Sequence, residues 1–352
     1  MMTYQQALEH AKLTESVITD LGEGAWHRAW KLTSDQHAPL VLRIPKKFAY
    51  KKEITYDENA LKAEYGGTEV YYKFVNQISP GAAPSTFFYH VSQDLTYTIE
   101  SYAGIHVDLH QLSIESAHKL GGEIGRLYRN LEHVDHGLKG LGYLAWTKEH
   151  GLHGQFLSDY HTFIKEECNE VMEDYEELAA KRQTFNNPGL KDALLRICET
   201  RLNEISRPVL TNQDASPENW LLEKNQVRLI DPLPIVYFGE VMAANFLNLY
   251  ETLFVELAHT ERYGKHRFHE CKVTLQRIAD GFVHGYCSND PHLIRVLRGE
   301  QVLQVLDTAV CHLRMIESDI TEEQVVRYGS TGDVEKRLSV FALKMDELIQ
   351  LL

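Results

Sequence analysis

Between Pro208 and Pro232 the chain alternates apolar runs with polar turns in a way that leaves few folds open. Pro208-Val209-Leu210 leads into Thr211-Asn212-Gln213-Asp214-Ala215-Ser216-Pro217-Glu218-Asn219, and Trp220-Leu221-Leu222 follows. Glu223-Lys224-Asn225-Gln226 then turns the chain, and Val227-Arg228-Leu229-Ile230 delivers Asp231. Apolar runs bounded by Asn, Asp, Ser and Pro read as strands, so the segment is loop, strand, tight turn, strand. A hairpin returns to its own start, which brings Asp231 back beside Asn219. Asp, Ser, Pro and Asn favour turns for local reasons, and an ordinary polar turn accounts for Asp214 to Asn219 taken alone. It does not account for a second aspartate returned to the same end of the hairpin.

Phosphoryl transfer uses such a set. It needs a carboxylate beside the acceptor hydroxyl, and an amide oxygen plus a second carboxylate to hold Mg²⁺ against nucleotide phosphates. Asp214, Asn219 and Asp231 read as base, metal ligand and metal ligand. The segment resembles the catalytic core of the aminoglycoside phosphotransferase and choline kinase superfamily, whose loop reads His-Gly/Asn-Asp, four residues, Asn, then Ile-Asp. Asn212 stands where His is usual and Gln213 where Gly or Asn is usual, so Asn212 reads as a changed brace for the loop. Ile230-Asp231-Pro232 is most similar to branches with Asp-Pro at the metal site, such as fructosamine kinases.

The resemblance implies an α+β, bilobal protein-kinase-like fold, with a small β-rich N-lobe and a large, mainly helical C-lobe. The sequence divides accordingly. Residues from about 15 to 105 carry strand patterns at Val17-Ile18-Thr19, Ala29 to Leu32, Pro39 to Ile44, Thr86 to Tyr89 and Tyr97 to Glu100. Thr68 reads as the N-cap of a helix through Val70, Tyr71, Phe74 and Val75. Beyond Gly104 the pattern turns helical: Ser116 to Leu131, Phe156 to Ala180, Leu190 to Ile205, and most of the last hundred residues. Ser101-Tyr102-Ala103-Gly104 is the expected linker, separating a nucleotide-binding lobe, 1–103, from a catalytic and substrate-binding lobe, 104–352.

On the nucleotide side, Leu21-Gly22-Glu23-Gly24 lies between the first two strands, where kinase-like folds cover the ATP phosphates. Glycine lets backbone N–H groups approach phosphate, and an ordinary hairpin turn is the competing reading. The family usually places Lys on the third strand, and choline-kinase-like members can place Arg. Here Arg43 occupies that place. Its carboxylate partner is expected on the following helix, at Glu69, with Glu58 and Glu64 as alternatives. Glu100 and Tyr102 are assigned, by position only, to the hinge whose backbone meets adenine.

The acceptor is less legible. The acidic run Glu166 to Glu177 would attract a polyamine, although charge runs on helices usually face water. Tyr237 and Phe238 would enclose a quaternary ammonium or pack as core. The acidic residue that often braces the loop from a later helix is absent, with Asn245 the nearest polar substitute.

Composition narrows the rest. The 352 residues carry 50 acidic and 36 basic side chains, a net charge of −14, which argues against nucleic acid as a partner. No apolar run approaches the ~20 residues that span a bilayer, and Met1-Met2-Thr3-Tyr4-Gln5-Gln6 lacks signal-peptide character. The five cysteines are odd in number and widely spaced, which disfavours a disulfide framework or a zinc site. The expectation is a cytoplasmic kinase using ATP and Mg²⁺ on a small hydroxylated molecule, cationic or not. The alternative is a catalytically weak kinase-fold module that binds nucleotide or modifies a protein.

Overall fold

The computed structural model describes residues 4–157, 159–205, 207–223 and 226–352. The first half holds α1 (Tyr4–Ala11), β1 (Val17–Glu23), β2 (His27–Ser34), β3 (His37–Pro45), the short pair β4 (Phe48–Ala49) and β5 (Lys52–Glu53), α2 (Glu58–Ile78), β6 (Phe87–Val91), β7 (Thr96–Ser101) and β8 (Ile105–His106). The middle carries α3 (Ile114–Leu131), β9 (Leu141–Thr147), β10 (Gly151–Phe156), α4 (Tyr160–Lys181), α5 (Pro188–Glu204), β11 (Val209–Asn212), β12 (Trp220–Glu223), β13 (Gln226–Leu229) and β14 (Pro234–Tyr237). The rest is helical. α6 (Gly239–Asn248) runs through a π-turn, Leu249–Leu253, into α7 (Phe254–Glu256), and α8 (Lys272–Cys287), α9 (Pro291–Glu317), α10 (Glu322–Tyr328) and α11 (Thr331–Ile349) follow.

The chain forms two compact units, and neither is a single stretch of sequence. The first comprises Met1–Val107, His136–Gln155 and Ser216–Ile235; the second comprises Asp108–Asp135, Phe156–Ala215 and Val236–Leu352. A linear cut at residue 103 therefore leaves two later segments of the first unit on the other side. The β-rich N-terminal and helical C-terminal regions expected of the kinase-like plan are both present. Among the described residues no helix is long and apolar enough to cross a membrane.

In the first unit, five antiparallel strands lie in the order β1-β2-β3-β7-β6. Strand side chains alternate between faces. Leu42, Ile44, Tyr97 and Ile99 point to one face, where Ala7 and Leu8 of α1 pack on them with Trp30 and Leu32. The other face therefore receives Arg43 from β3 and Glu100 from β7. Arg43 pairs across the ladder with Thr98, which makes Glu100 its diagonal neighbour on the same face.

Two expectations about helices are corrected. Thr68 does not begin a helix: α2 starts at Glu58, capped by the Asp57 side chain, and Thr68 lies mid-helix with its hydroxyl donating to Glu64 O. The Gly66-Gly67 pair looks like a breaker, but a Cβ at Gly67 would lie 2.6 Å from Leu144 Cδ1, so close packing accounts for that glycine. Nor does Phe156 open α4. It ends β10, the second strand of a hairpin between Leu141 and Phe156 that escaped the sequence reading. The turn expected at Glu223 to Gln226 has its centre, Lys224-Asn225, outside the described residues.

The second unit is built on helix packing. α3 and α8 approach through Gly121 and Gly125 on one helix and Gly281 and Gly285 on the other. A Cβ at Gly121 would lie 1.9 Å from Ile278 O, so any side chain there separates the pair. A second core joins Leu178 of α4 and Leu194 of α5 to Val305, Leu306 and Val310 of α9 and to Phe341 and Met345 of α11.

Candidate active site

The register of β3 and β7 decides the geometry on the sheet face opposite α1. Arg43 Nη2 lies 3.0 Å from Glu100 Oε1, and Arg43 Nη1 donates to Asp231 Oδ1 at 2.6 Å. The Glu100 side chain is 3% exposed and that of Asp231 58%, so one partner is buried and the other open. Tyr72 of α2 joins them: its hydroxyl donates to Glu100 Oε2 and accepts from the Asp231 N–H, both at 3.0 Å. Asp231 sits at φ +48°, a left-handed conformation that non-glycine residues seldom adopt. Its backbone is held at both ends, since Asn219 Nδ2 donates to Asp231 O at 3.2 Å. Asn219 is itself buried and fixed by a 3₁₀ turn, Pro217–Asn219, that Ser216 caps.

Burial opposes the Arg43 charge, but Asp231 and Glu100 outweigh it and hold the guanidinium above its ordinary value. Burial likewise pushes the Glu100 carboxyl up, against the pull of Arg43. The Tyr72 phenol is raised well above its usual range by burial and by Glu100, so it remains a donor. Glu64 is pushed up to about 7, by burial first and then by the Asp231 carboxylate, with Arg43 opposing.

The expected contact between Arg43 and Glu69 is corrected. Glu69 pairs one turn along α2 with Lys73, 2.5 Å away, and Glu58 does the same with Lys62. The reason is helix phase. Tyr65 and Tyr72, two turns apart, lead the face whose hydroxyls bond to sheet residues, His27 for the first and Glu100 for the second. The carboxylate of Arg43 comes from β7 instead. Glu64, the third glutamate proposed on α2, interacts electrostatically with Asp231 and Arg43.

The glycine hairpin closes on its own backbone. Gly22 has φ +88° at a bulge in β1 and donates its N–H to Asp20 Oδ1 at 2.8 Å; Gly24 N–H donates to His27 O at 2.9 Å. Lys46 holds the tip, with Nζ 3.2 Å from both Gly24 O and a Glu23 carboxylate oxygen. His27 Nε2 lies 2.9 Å from the Tyr65 hydroxyl. Burial drives the His27 imidazole down to about 4, with Asp231 opposing and Arg43 assisting, so it is neutral at pH 7. Tyr102, in the segment expected as the hinge, donates its N–H to Pro39 O at 2.9 Å, and Lys31 Nζ sits 3.9 Å from its ring centre.

In the second unit, Asp214 leaves β11 on a loop tied by amides. Fully buried Asn212 accepts from the Asp214 N–H and donates to Asp214 O at 2.6 Å, while Tyr128 O–H donates to Asn212 O. Asn245 Nδ2 donates to Gln213 O at 3.0 Å. Both polar substitutes singled out in the sequence thus bond the loop. Phe238 is core, and Tyr237 donates its hydroxyl to Glu167. The acidic run on α4 is largely paired: Asp174 and Glu177 with Arg314, Glu176 with Lys191, and Glu167 with Arg201.

Tyr72, His27 and Lys46 had no role in the sequence reading, and Glu64 entered it only as an alternative partner for Arg43. For Glu100 a signal existed: Thr98 and Glu100 are the polar positions of a strand whose alternate residues are apolar.

Neither a protein-family model nor a curated protein sequence matches the chain. Solved structures do. A thermostable mutant of aminoglycoside phosphotransferase APH(4)-Ia, in ternary complex with AMP-PNP and hygromycin B, matches over 99% of each chain at 15% identity, with a TM-score of 0.55. A second mutant of that enzyme, with ADP and hygromycin B, matches over 99% of each chain at 14% identity and 0.56. The apo form covers 99% of this chain and 98% of its own at 16% identity and 0.53. The chain has the fold of the aminoglycoside phosphotransferases.

Proposed function

We propose that this protein is a phosphotransferase that uses ATP and Mg²⁺ to phosphorylate a hydroxyl of a small molecule. The observation that carries the reading is the cluster of Arg43, Glu100, Tyr72, Asn219 and Asp231, in which a strand cation, an amide and a carboxylate are fixed by one hydrogen-bonded frame.

The residues suit the groups they would hold. Asp231 and Asn219 offer hard oxygen ligands of the kind Mg²⁺ takes in small number, leaving the rest to water and phosphate. Buried Arg43 Nε has no hydrogen-bond partner. That is a donor suited to a phosphate oxygen, because guanidinium binds phosphate through paired N–H groups. When bound, the metal would neutralise charge on the transferring phosphoryl group.

The chain's own part follows from its bonds. Arg43, anchored by Glu100, orients the nucleotide phosphates. Gly22 and Gly24, held by Lys46, supply the covering turn. Asp214, positioned by Asn212 and Asn245, accepts the proton of the acceptor hydroxyl. Hygromycin B accompanies the enzyme of like fold; by analogy the acceptor here is a polyhydroxylated small molecule.

Ligand that binds only the native state raises the melting temperature. AMP-PNP with Mg²⁺ at millimolar concentration is expected to raise it, and Asp231→Asn to remove the Mg²⁺-dependent part. No shift with any purine nucleotide would refute the reading.

A further inference from the structure

Arg43 does not treat its two carboxylates alike. Glu100 is buried and doubly held, by Arg43 Nη2 and by the Tyr72 hydroxyl. Asp231 has an open carboxylate, and its Oδ1 takes Arg43 Nη1 at 2.6 Å. The guanidinium thus has a fixed pivot on one side and a releasable contact on the other. Its Nε, buried and unpartnered, is a donor in reserve.

Resting on the reading of Asp231 as a metal ligand, we infer that Arg43 is an internal counter-ion which keeps a divalent cation off Asp231 until nucleotide phosphate draws the guanidinium away. The physical argument has three steps. An oxygen that accepts a charge-assisted hydrogen bond at 2.6 Å has committed a lone pair a metal would use. A divalent ion beside Asp231 would also lie against a full positive charge with little water to screen it, since the Arg43 side chain is 13% exposed. A polyphosphate offers Nη1 and Nε more acceptors than one Asp231 oxygen does, so the exchange leaves Arg43 better bonded and Oδ1 free.

The rest of the frame keeps Asp231 in place through the exchange. Tyr72 holds its N–H and Asn219 its C=O, and neither bond involves Arg43. Metal and nucleotide then bind with positive coupling. Coupling is reciprocal, so each raises the other's affinity by the same factor, typically about 5–150-fold.

The test measures Mn²⁺ binding from the electron paramagnetic resonance signal of the free ion, without and with ADP. Wild type is expected to bind Mn²⁺ weakly alone and at least about tenfold more tightly with ADP, within the usual range of such coupling. The double variant Arg43→Gln, Glu100→Gln removes the cation without stranding a buried carboxylate. It should bind Mn²⁺ alone more tightly than wild type by a similar factor, and lose the part of the coupling to ADP that Arg43 supplies while keeping the part that phosphate oxygens on the metal supply. Arg43→Gln alone, the second variant should the pair fail to fold, carries the same expectation. Arg43→Lys keeps the charge and should keep Mn²⁺ binding weak. If both Gln variants bind Mn²⁺ alone no better than wild type while Asp231→Asn still abolishes Mn²⁺ binding with ADP, the counter-ion is wrong and the metal site stands. If Asp231→Asn leaves Mn²⁺ binding with ADP unchanged, both fall.

Discussion

Two buried arginines, one in each unit, show the difference between a finished ion pair and an open one. Arg201 spends every nitrogen: Nε and Nη2 clamp Glu300 at 2.6–3.0 Å, and Nη1 reaches Glu167 at 3.5 Å. The Arg201 and Glu300 side chains are only 5% and 4% exposed. Arg43 leaves Nε unused and gives Nη1 to a carboxylate that faces solvent. Arg201 and Glu300 line a cavity, but with every nitrogen already engaged the guanidinium has no donor left for a ligand, whereas an open pair has both a spare donor and a partner that can leave. Activity is therefore expected to fail first around Arg43, and stability first around Arg201.

The largest effect belongs to Asp214. General-base groups contribute about 10²–10⁴-fold, so Asp214→Asn should lower kcat by that order while ADP–Mg²⁺ binding and the unfolding free energy stay near wild type. Asp231→Asn should lower kcat and also weaken metal-dependent nucleotide binding. Turnover unchanged in Asp214→Asn, measured by slow ATP hydrolysis until an acceptor is found, would remove Asp214 from the chemistry.

The second effect tests the closed network. Arg201→Ala leaves Glu300 buried without its cation, and breaking one side of a buried pair typically costs about 3–5 kcal/mol. Urea unfolding should show that loss, with ADP affinity of the folded fraction unaltered. Replacing the pair together, Arg201→Met with Glu300→Leu, should recover most of it, because an apolar pair of similar volume carries no desolvation penalty. A loss of ADP affinity in the folded Arg201→Ala protein would erase the distinction between the two networks.

What the sequence disclosed follows the same divide. Asp214, Asn219, Asp231 and Arg43 could be singled out because the proposed chemistry fixes their types and order along the chain, and the structure brings Arg43, Asn219 and Asp231 together. The partner of Arg43 was not, since it depends on the β3–β7 register. Register joins residues 41 to 100, a pairing between distant segments that local pattern does not report. The start of α2 was misplaced because Thr68 reads as an N-cap, whereas the helix starts at Glu58 and packs Gly67 against Leu144 on a hairpin far along the chain. That hairpin was missed in turn. Two of its glycines, Gly142 at φ +83° within β9 and Gly151 at φ +67° at the start of β10, hold backbone conformations that apolar periodicity cannot show. Asn212 and Asn245 were readable as braces because each sits where a family pattern leaves a polar slot.

The smallest effects are pH dependences, and they set the two units against each other once more. In the second unit, burial and then the Glu240 carboxylate push Glu132 up to about 7 from 4.5, although Tyr286 donates to it at 2.5 Å and Arg129 pairs with it. The folded state then binds a proton that the unfolded state has released between pH 4.5 and about 7. Stability from this group is fully present below 4.5 and is lost as pH rises through about 7. At ~1.36 kcal/mol per pKa unit the loss is up to roughly 3 kcal/mol. Glu132→Gln should flatten that part of the stability profile, leaving the similar contribution of Glu167, which is also raised to about 7. In the first unit, Glu64 titrates near the same pH because protein crowds around it, yet its side chain keeps an exposed surface, and Arg43 and Asp231 act on it. Its lost proton adds a negative charge where nucleotide phosphates are proposed to sit. ADP affinity should therefore fall a few-fold as pH rises through about 7, and Glu64→Gln should level the curve. Titrations of ADP at pH 6 and pH 8 decide the matter: an unchanged slope in Glu64→Gln, or a slope removed by Glu132→Gln instead, would show that the open and closed carboxyls had been assigned the wrong way round.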